Sequence, residues 1–378
     1  MDASTDQTRD TVILCGPAMD LAASTYGGGA GGYVRNVSLL LEHFSRGDVR
    51  MTLSPYSTRR FTRWWWLVLP ARLVRDLWVF ARNIRGGGVV HLMMTYGVAI
   101  YREFGMSLIA KAYGRPLILD IRGGAFLLWL ESAGGLHRAM AHYVMRNASV
   151  VLGQGKGMVD SLRSTYGDKV HHFPNFVRPR DLPATVRPRC TSDELAVIFV
   201  GYCYEGKGVF ELVDGCARAA RGGIGIHLTL VGAESAEFKE YLDTRAPVSG
   251  LQIERRGQLG FDAVQSLLAA SDVFCFPTHH GGEGHPNALN EAMAQGLVIV
   301  TTAHGFIPEL LDDTSAYFVE IGSRIHLAET LAHIHTHRDE ARAKADNARS
   351  TLRERYTESI VLGRLREDYR RALRPSKG

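Results

Sequence analysis

Short apolar runs alternate along the chain with longer segments in which apolar residues recur every three or four positions. Apolar runs bounded by glycine, proline or polar residues are typical of strands, and the longer period indicates helices. The strands predicted in the first half are 11–16, 49–55, 88–94, 116–121, 148–153 and 169–174. Those predicted in the second half are 195–201, 226–232, 251–257, 272–277, 297–302 and 316–320. Because strands that alternate with helices form βαβ units, the pattern predicts a parallel sheet in each half.

Predicted helices separate these strands. In the first half they are 32–45, 64–85, 98–114, 135–147 and 156–166. In the second half they are 208–221, 235–245, 261–270, 287–295 and 306–311, and only helical patterns remain beyond about residue 323. Residues 175–194 are rich in proline and arginine and show little apolar periodicity, which indicates an interdomain connection. We therefore predict an α/β protein of two parallel-sheet domains in tandem, followed by a helical tail.

Composition places this chain among soluble globular proteins. It has 378 residues, with 46% hydrophobic and 22% charged side chains, enough for two domains with full cores. Its five cysteines are scattered without metal-site or disulfide-framework spacing, which is typical of a reducing compartment. The polar start of the sequence does not resemble a signal peptide, so we expect a cytoplasmic protein. The fifteen histidines show no metal-binding spacing, so we expect no bound metal.

Charge is distributed unevenly, and the strongest basic segment is 59–85. Residues 1–189 carry 24 Lys and Arg against 13 Asp and Glu, whereas the remainder carries 20 against 26. Segment 59–85 has seven arginines, one aspartate and the tryptophans Trp64, Trp65, Trp66 and Trp78. A helix at an anionic membrane surface, at the inner face of the cell membrane, would use these side chains. A domain helix with core tryptophans is the alternative, and without an RNA-binding motif we expect no nucleic acid.

The stretch Pro277–Gly296 predicts a loop and a helix between two strands, with two carboxylates at the helix entrance. Glu283 lies in the loop, and Glu291 lies on the helix with its side chain leaning back toward the N-terminus. The amides exposed at this entrance are those of Gly284, His285 and Asn287. Together with the helix dipole, such amides favour an anion, and the carboxylates can accept hydroxyl hydrogen bonds. The arrangement suits a sugar joined to a nucleoside through a diphosphate, and two solvated glutamates are the alternative interpretation.

The glycine run Gly27–Gly32 precedes the first predicted helix. It contains G-x-G-x-x-G, but it begins well after the first strand ends at Gly16, so it is a poor match to the dinucleotide fingerprint. We interpret it as a loop whose backbone a phosphate or sugar can approach, and a merely flexible loop is the alternative. The candidate contact residues are Gly28, Gly29 and Gly31.

Three further candidates follow strand ends, where ligands of open α/β sheets bind. Lys207 lies in a Gly-Lys-Gly turn after the strand at 195–201 and is placed to neutralise a diphosphate, or it is a solvated turn lysine. Arg122 ends the strand at 116–121 and is either an anion ligand or a structural arginine. Ile307 follows the strand at 297–302 and is a candidate for lining the same pocket.

Together these motifs resemble the retaining, nucleotide-sugar-dependent glycosyltransferases of the GT-B fold, in the large "family four" group, glycosyl transferases group 1. The resemblance covers nearly the whole chain, including the glycine-rich loop, the strand VVHLMM, the Pro174–Asn175 boundary and the FVG…KG loop. It is strongest in ASDVFCFPTHHGGEGHPNALNEAMAQGLVIVTTAHGFIPELL, where the E-x7-E signature is Glu283 and Glu291. That combination is far more specific for the group than any one of its parts.

The resemblance implies two Rossmann-like domains facing a cleft. The implied divisions are an acceptor domain at 1–180, a linker at 181–194, a nucleotide-sugar domain at 195–355 and a helix at 356–378 that packs back on the first domain. By the same resemblance, Glu283 lies beside the donor sugar, Lys207 meets the diphosphate and Glu291 holds the ribose. The implied reaction moves a hexose to a glycan or lipid-linked acceptor with retention of configuration, without metal or cofactor, in polysaccharide or glycolipid biosynthesis.

Two positions depart from the family pattern. Tyr202 stands where relatives usually have an arginine in the phosphate loop, and Arg122-Gly123 stands where many have His-Gly. Arg122 is therefore our candidate for supplying the missing positive charge. The departure at Tyr202 also leaves open a sugar-nucleotide-binding protein with impaired catalysis, and a GT-B-fold epimerase or phosphorylase is a further alternative. A phosphorylase needs a lysine for a cofactor Schiff base, and no persuasive candidate stands out.

Overall fold

The computed structural model describes residues 10–17, 29–45, 49–56 and 65–373. The chain divides into two compact units. The first takes in Gly32–Pro174 with the strand before it, and the end of the chain from Leu362. The second runs from Asn175 to Val361. Each unit is built on one parallel sheet, as the alternation of apolar runs predicts.

The first sheet has six parallel strands in the order β2-β1-β3-β4-β5-β6. Their bounds are β1 Asp10–Pro17, β2 Val49–Tyr56, β3 Val89–Met94, β4 Leu117–Ile121, β5 Val150–Gly153 and β6 Val170–His172. The central strands β3, β4 and β5 are buried along their whole length. A parallel sheet covered by helices on both faces requires such continuous apolar strands, which is why the sequence pattern identified them.

Helices connect these strands in the order that the sequence predicts. Their bounds are α1 Gly29–Phe44, α2 Trp65–Asn83, α3 Ile100–Ala112, α4 Phe126–Ser132, α5 Gly135–Asn147 and α6 Lys156–Tyr166. Two differences from the prediction stand out. Helix α4 was not predicted, because a seven-residue apolar segment between glycines is too short to show a helical period. Helix α1 begins at Gly29, so the second half of the glycine run is the first turn of the helix and not a loop.

The second sheet also has six parallel strands, in the order β12-β11-β10-β7-β8-β9. Their bounds are β7 Glu194–Val200, β8 Gly225–Val231, β9 Leu251–Gly257, β10 Val273–Phe276, β11 Val298–Thr301 and β12 Tyr317–Phe318. All the predicted strands of both halves are therefore present. Strands β7 and β10 are neighbours in this sheet although they are far apart in sequence. Their carboxyl ends consequently bring two distant loops together.

The helices of the second unit surround this sheet and share one hydrophobic core with it. Their bounds are α7 Val209–Arg221, α8 Ala236–Asp243, α9 Phe261–Ala270, α10 Asn287–Ala294, α11 Ile307–Leu310, α12 Arg324–Thr336 and α13 Arg338–Arg355. Helix α13 packs on α10 and β11, which explains why its alanines Ala341, Ala345 and Ala348 are buried. Small side chains at that spacing let a highly charged helix lie close to its neighbours.

The last helix, α14, spans Glu358–Leu373, and from Leu362 onward it belongs to the first unit. Tyr369 is fully buried, and its hydroxyl lies 2.6 Å from Nδ1 of His91 in β3. One residue earlier, Asp368 Oδ1 lies 2.8 Å from Nδ1 of His171 in β6. The C-terminal helix therefore returns to the first sheet, as predicted, and two polar side-chain pairs fix its position there.

Candidate functional site

The loops after β7 and β10 are joined by a backbone hydrogen bond at the carboxyl edge of the second sheet. The N–H of His279 donates to the carbonyl of Gly206 at 2.9 Å, and Thr278 Oγ1 lies 3.3 Å from the same carbonyl oxygen. Lys207 is the next residue, at the end of a 3-10 turn that leads into α7. The pairing of neighbouring strand ends thus places Lys207 beside the loop that carries Glu283.

Gly208 cannot be replaced without moving this loop. Its φ of 69° lies in the left-handed region, and a Cβ there would lie 2.1 Å from the carbonyl oxygen of Pro277. Both conditions admit only glycine. The Lys-Gly step in the sequence therefore has a structural cause, which is the close approach of the α7 entrance to the end of β10.

Lys207 and Glu283 form a direct ion pair. Nζ of Lys207 lies 2.5 Å from Oε2 of Glu283, and Thr278 Oγ1 donates to the same oxygen at 2.8 Å. The side chains are 16% and 9% exposed, so the pair is largely removed from water. Charge-assisted hydrogen bonds of this kind are stronger than neutral ones, especially where water is scarce. The pair presents one cation and one carboxylate at the same spot, which is suited to a ligand bearing both phosphate and hydroxyl groups.

The backbone of Glu283 is also fixed. Its N–H donates to the carbonyl of His280 at 2.8 Å. Gly305, in the loop after β11, has a φ of 59°, and a Cβ on it would lie 2.4 Å from the Glu283 carbonyl oxygen. The loop after β11 therefore packs directly against Glu283. The contacts of Thr278 and Gly305 with Glu283 were not predicted, because nothing in the sequence spacing links these residues to Glu283.

The loop after β7 also carries two tyrosines, Tyr202 and Tyr204, whose rings stack on each other. Tyr202 is 38% exposed and stacks on Tyr204 with ring centroids 5.3 Å apart. The Tyr204 hydroxyl lies 2.6 Å from Nδ1 of His280. Burial and then the nearby Lys207 charge lower the pKa of His280, which favours its neutral form. Tyr202, the departure from the family pattern, therefore offers an exposed ring at the site in place of a cation.

The entrance of α10 is organised around His285. Its Nε2 lies 2.8 Å from Asn290 Oδ1, and its carbonyl accepts a hydrogen bond from Asn175 Nδ2 at 2.6 Å. The imidazole is 3% exposed and meets the ring of Tyr356 edge to face. The side chain of His285 is thus a structural element, and contact of Gly284, His285 and Asn287 with a ligand stays a prediction. Pro286 is the N-cap residue of α10, and no side chain caps this helix.

Glu291 lies one turn into α10 and is 1% exposed. Gln265 of α9 donates to its Oε2 at 3.4 Å, and Gln295 in turn donates to Gln265 at 2.9 Å. Both glutamines also line a cavity of about 540 Å³ between α9, α10 and residues 178–183. The hydrogen-bond chain fixes the rotamer of a carboxylate that the sequence alone identified only by its spacing from Glu283.

Arg189 holds the carboxyl ends of α9 and α10 together. Its guanidinium donates to the carbonyls of Ala269 and Ser271 at 2.7 Å each, to Gly296 at 3.1 Å and to Gln295. A buried cation at two helix C-termini complements both dipoles and satisfies carbonyls that have no helical partner. Burial lowers the pKa of Arg189 to about 10. The sequence indicated a linker here, because a stretch rich in proline and arginine resembles one.

Arg122 lies in the first unit and has structural partners there. Its Nε donates to both carboxylate oxygens of Asp120, at 2.8 and 2.9 Å, and its guanidinium lies 4.5 Å from the ring centroid of Phe173. Burial acts to raise the pKa of Asp120, but the Arg122 charge and the His91 hydrogen bond hold it below its ordinary value. Arg122 is 3% exposed, and its contact with a substrate stays a prediction.

The remaining predicted site residues are Ile307 and three glycines of the run that precedes the first helix. Ile307 is fully buried in the core of the second unit, and its N–H donates to the His304 carbonyl at 3.2 Å. Gly29 and Gly31 are in the first turn of α1, and Gly28 lies outside the described residues. Within the described ranges, no three His, Cys, Asp or Glu side chains are gathered so that they could hold a metal ion.

Part of the chain is similar to known proteins. A family model described as Glycosyl transferases group 1 matches residues 194–337. The putative colanic acid biosynthesis glycosyltransferase WcaL of Escherichia coli (strain K12) is 31% identical over 163 residues, which cover 41% of this chain and 38% of that protein. The chain thus spans less than half the length of this relative.

Two solved structures match nearly the whole chain. HepE of Anabaena in complex with UDP and glucose has a TM-score of 0.67 at 12% identity, covering 94% of this chain and 98% of that one. Sucrose-phosphate synthase from Thermosynechococcus elongatus has a TM-score of 0.72 at 16% identity, covering 96% and 99%. At these identities the match shows the fold, which is GT-B, as predicted from the sequence.

Proposed function

We propose that this chain, which has a GT-B fold and matches the Glycosyl transferases group 1 model at residues 194–337, is a glycosyltransferase of the hexosyltransferase type. It moves a sugar from a nucleotide-diphosphate donor to a glycan or lipid-linked acceptor in polysaccharide or glycolipid assembly. The relative WcaL, named for colanic acid biosynthesis, and the UDP and glucose in the HepE complex support this choice of pathway class and donor class. The observation that carries the proposal is the ion pair of Lys207 and Glu283 at the carboxyl edge of the second sheet.

In this proposal the donor diphosphate is bound by Lys207, whose ammonium is held at the entrance of α7. As the anomeric carbon–oxygen bond breaks, negative charge develops on the departing diphosphate. A preorganised cation and backbone amides stabilise such charge without reorganisation. Lys207 exchanges part of its contact with Glu283 for the phosphate, which frees Glu283 Oε2 to accept a hydrogen bond from a sugar hydroxyl.

Glu291 binds the ribose hydroxyls in the same proposal. Its carboxylate is held by Gln265, so its rotamer is already selected before a ligand arrives. Preorganisation of this kind lowers the entropy cost of binding. The acceptor oxygen then bonds to the anomeric carbon on the face that the diphosphate leaves, so configuration is retained, and the acceptor proton passes to the diphosphate. We assign no metal or other cofactor to this step, since Lys207 and the α10 amides supply the positive potential.

A thermal-shift screen tests the donor assignment directly. The full-length chain is melted alone and with a panel of nucleoside diphosphates and nucleotide sugars. A ligand that binds only the native state must raise the melting temperature. At least one nucleoside diphosphate is expected to raise the melting temperature, whereas the corresponding nucleoside is expected to raise it less. If no member of the panel shifts the transition, the donor assignment is wrong.

A further inference from the structure

Helices α2, α3 and α5 lie side by side on one face of the first sheet. The crossovers from β2 to β3, β3 to β4 and β4 to β5 all proceed toward the same sheet edge, and right-handed crossovers place their helices on one face. Gly105 of α3 lets α2 approach closely, since a Cβ there would lie 2.9 Å from Leu77. Phe104 of α3 meets Tyr143 of α5 edge to face at 5.2 Å. We call the outward surface of these three helices the α2–α3–α5 face.

Large apolar side chains on this face are exposed to solvent. Val74 and Trp78 of α2 are 67% and 62% exposed, and Leu136 of α5 is 63% exposed. Tyr101 and Leu108 of α3 lie between them and are also exposed. The Tyr101 hydroxyl contacts His137 Nε2 at 3.0 Å, which places Tyr101 next to Leu136. Exposed apolar side chains on adjacent helices are unusual in a soluble monomer and mark an interaction surface.

The charge on the same surface has one sign. Between residues 65 and 147 the acidic residues Asp76, Glu103 and Asp120 are buried, and Glu131 is the one exposed carboxylate in that described range. The exposed cationic side chains over the same helices and their ends are Arg75, Arg82, Arg85, Lys111, Arg138 and Arg146. A partner of this face must therefore tolerate apolar contact and carry negative charge at its rim.

Helix α2 shows how the two features combine. Val74, Trp78 and the arginines Arg75 and Arg82 share an arc of about 100° on its surface. The Arg82 guanidinium lies 5.8 Å from the Trp78 ring centroid. Tryptophan and arginine arranged in this way suit the boundary between acyl chains and anionic headgroups, where the ring stays apolar and the guanidinium reaches phosphate. The opposite side of α2 is core, since Phe80 is fully buried.

We propose that the α2–α3–α5 face docks on the surface of an anionic lipid bilayer. Val74, Trp78 and Leu136 enter the acyl boundary, and the arginines lie on lipid phosphates. The described residues contain no helix that is both long and apolar enough to cross a bilayer. The contact extends beyond segment 59–85 to three helices. The side chains of Trp64, Trp65 and Trp66 lie outside the described residues.

Vesicle co-sedimentation of the full-length chain tests this proposal without reference to catalysis. Vesicles of phosphatidylcholine alone are compared with vesicles that also contain phosphatidylglycerol, at low and high salt. Each basic side chain near an anionic surface strengthens partitioning about fivefold, so Arg82→Gln with Arg85→Gln should weaken it roughly 25-fold. The double variant Val74→Gln with Trp78→Gln should weaken it at least about tenfold through lost apolar burial.

Matched changes on the second unit serve as controls. Ile325, which is 52% exposed, is replaced by glutamine together with the exposed Arg221. This control should sediment with anionic vesicles as the wild type does, and every variant is first shown to melt at the wild-type temperature. Equal binding to neutral and anionic vesicles would overturn the proposal. Wild-type binding by both α2 variants would also overturn it. So would salt-sensitive binding to a nucleic-acid duplex that is tighter than binding to anionic vesicles and is unchanged in the Val74→Gln, Trp78→Gln variant.

Discussion

Replacement of Lys207 by methionine tests whether the ion pair with Glu283 stabilises the fold. The substitution keeps most of the side-chain volume and removes the ammonium that lies 2.5 Å from Glu283 Oε2. Removing one partner of a buried ion pair costs about 3–5 kcal/mol. Here the Glu283 side chain is 9% exposed and keeps its hydrogen bond from Thr278, so we expect about 2–3 kcal/mol. The second unit should then melt roughly 5–10 °C lower.

The assay is thermal and urea unfolding of five proteins. Four are the wild type, Lys207→Met, Glu283→Gln and the double variant. The fifth is Lys239→Met, a matched control at an exposed lysine of the same unit. In the double variant no uncompensated charge remains, so its loss should be smaller than the sum of the single losses by at least about 1 kcal/mol. The same Lys207 variant should release nucleoside diphosphate from a nucleotide sugar about 10²–10³-fold more slowly.

Two results would refute this reasoning. One is a Lys207→Met protein whose stability equals that of the wild type, because the pair would then contribute nothing to the fold. The other is strict additivity in the double variant, which would mean that Lys207 and Glu283 do not interact in solution. A loss of the same size in Lys239→Met would show that any lysine in this unit gives the effect.

Three further predictions follow from the same geometry. Gly305→Ala should abolish donor binding and lower the free energy of unfolding by about 3 kcal/mol, because its Cβ would strike the Glu283 carbonyl. The control Gly322→Ala has a similar φ of 77° and open space around it, so it should lower the free energy of unfolding by only about 1 kcal/mol and keep donor binding. Arg189→Met should cost about 3–5 kcal/mol in the same assay, because it leaves the buried carbonyls at two helix ends without a donor; a cost under 1 kcal/mol would contradict that account. Burial lowers the pKa of His172 from 6.5 to about 4, so the unfolded chain binds a proton at this residue before the folded chain does. The contribution of neutral His172 to folding stability is therefore fully present above pH 6.5 and is lost as the pH falls toward 4. His172→Gln should flatten that part of an acid-unfolding curve, and superimposable curves would contradict the assignment.

The positions of the helices and strands could be predicted from the sequence better than the contacts between them. Buried parallel strands such as β3 and β10 are continuous apolar runs, so their positions are visible directly in the sequence. The spacing of Glu283 and Glu291 was equally visible, because both belong to one continuous stretch. Helix α4 was missed, since seven residues give less than two full helical periods.

Residues that act through the tertiary fold were not predictable in this way. Thr278 and Gly305 contact Glu283 from the ends of β10 and β11, and that contact depends on strand order in the sheet. Arg189 lies far in sequence from the helix ends that it joins, so its proline-rich surroundings suggested only a linker. Trp78 was visible as a tryptophan, but whether it faced the core or solvent depended on how α2 packs.

The most direct test of the donor site is calorimetric titration of nucleoside diphosphate and of the corresponding nucleoside into three proteins. These are the wild type, Lys207→Met and the control Lys239→Met. Because hydrogen bonds to charged groups contribute about 1.5–3 kcal/mol, the Lys207 variant should bind the diphosphate about 10–100-fold more weakly while binding the nucleoside as the wild type does. Equal diphosphate affinity in all three proteins would contradict the claim that Lys207 holds the donor phosphates.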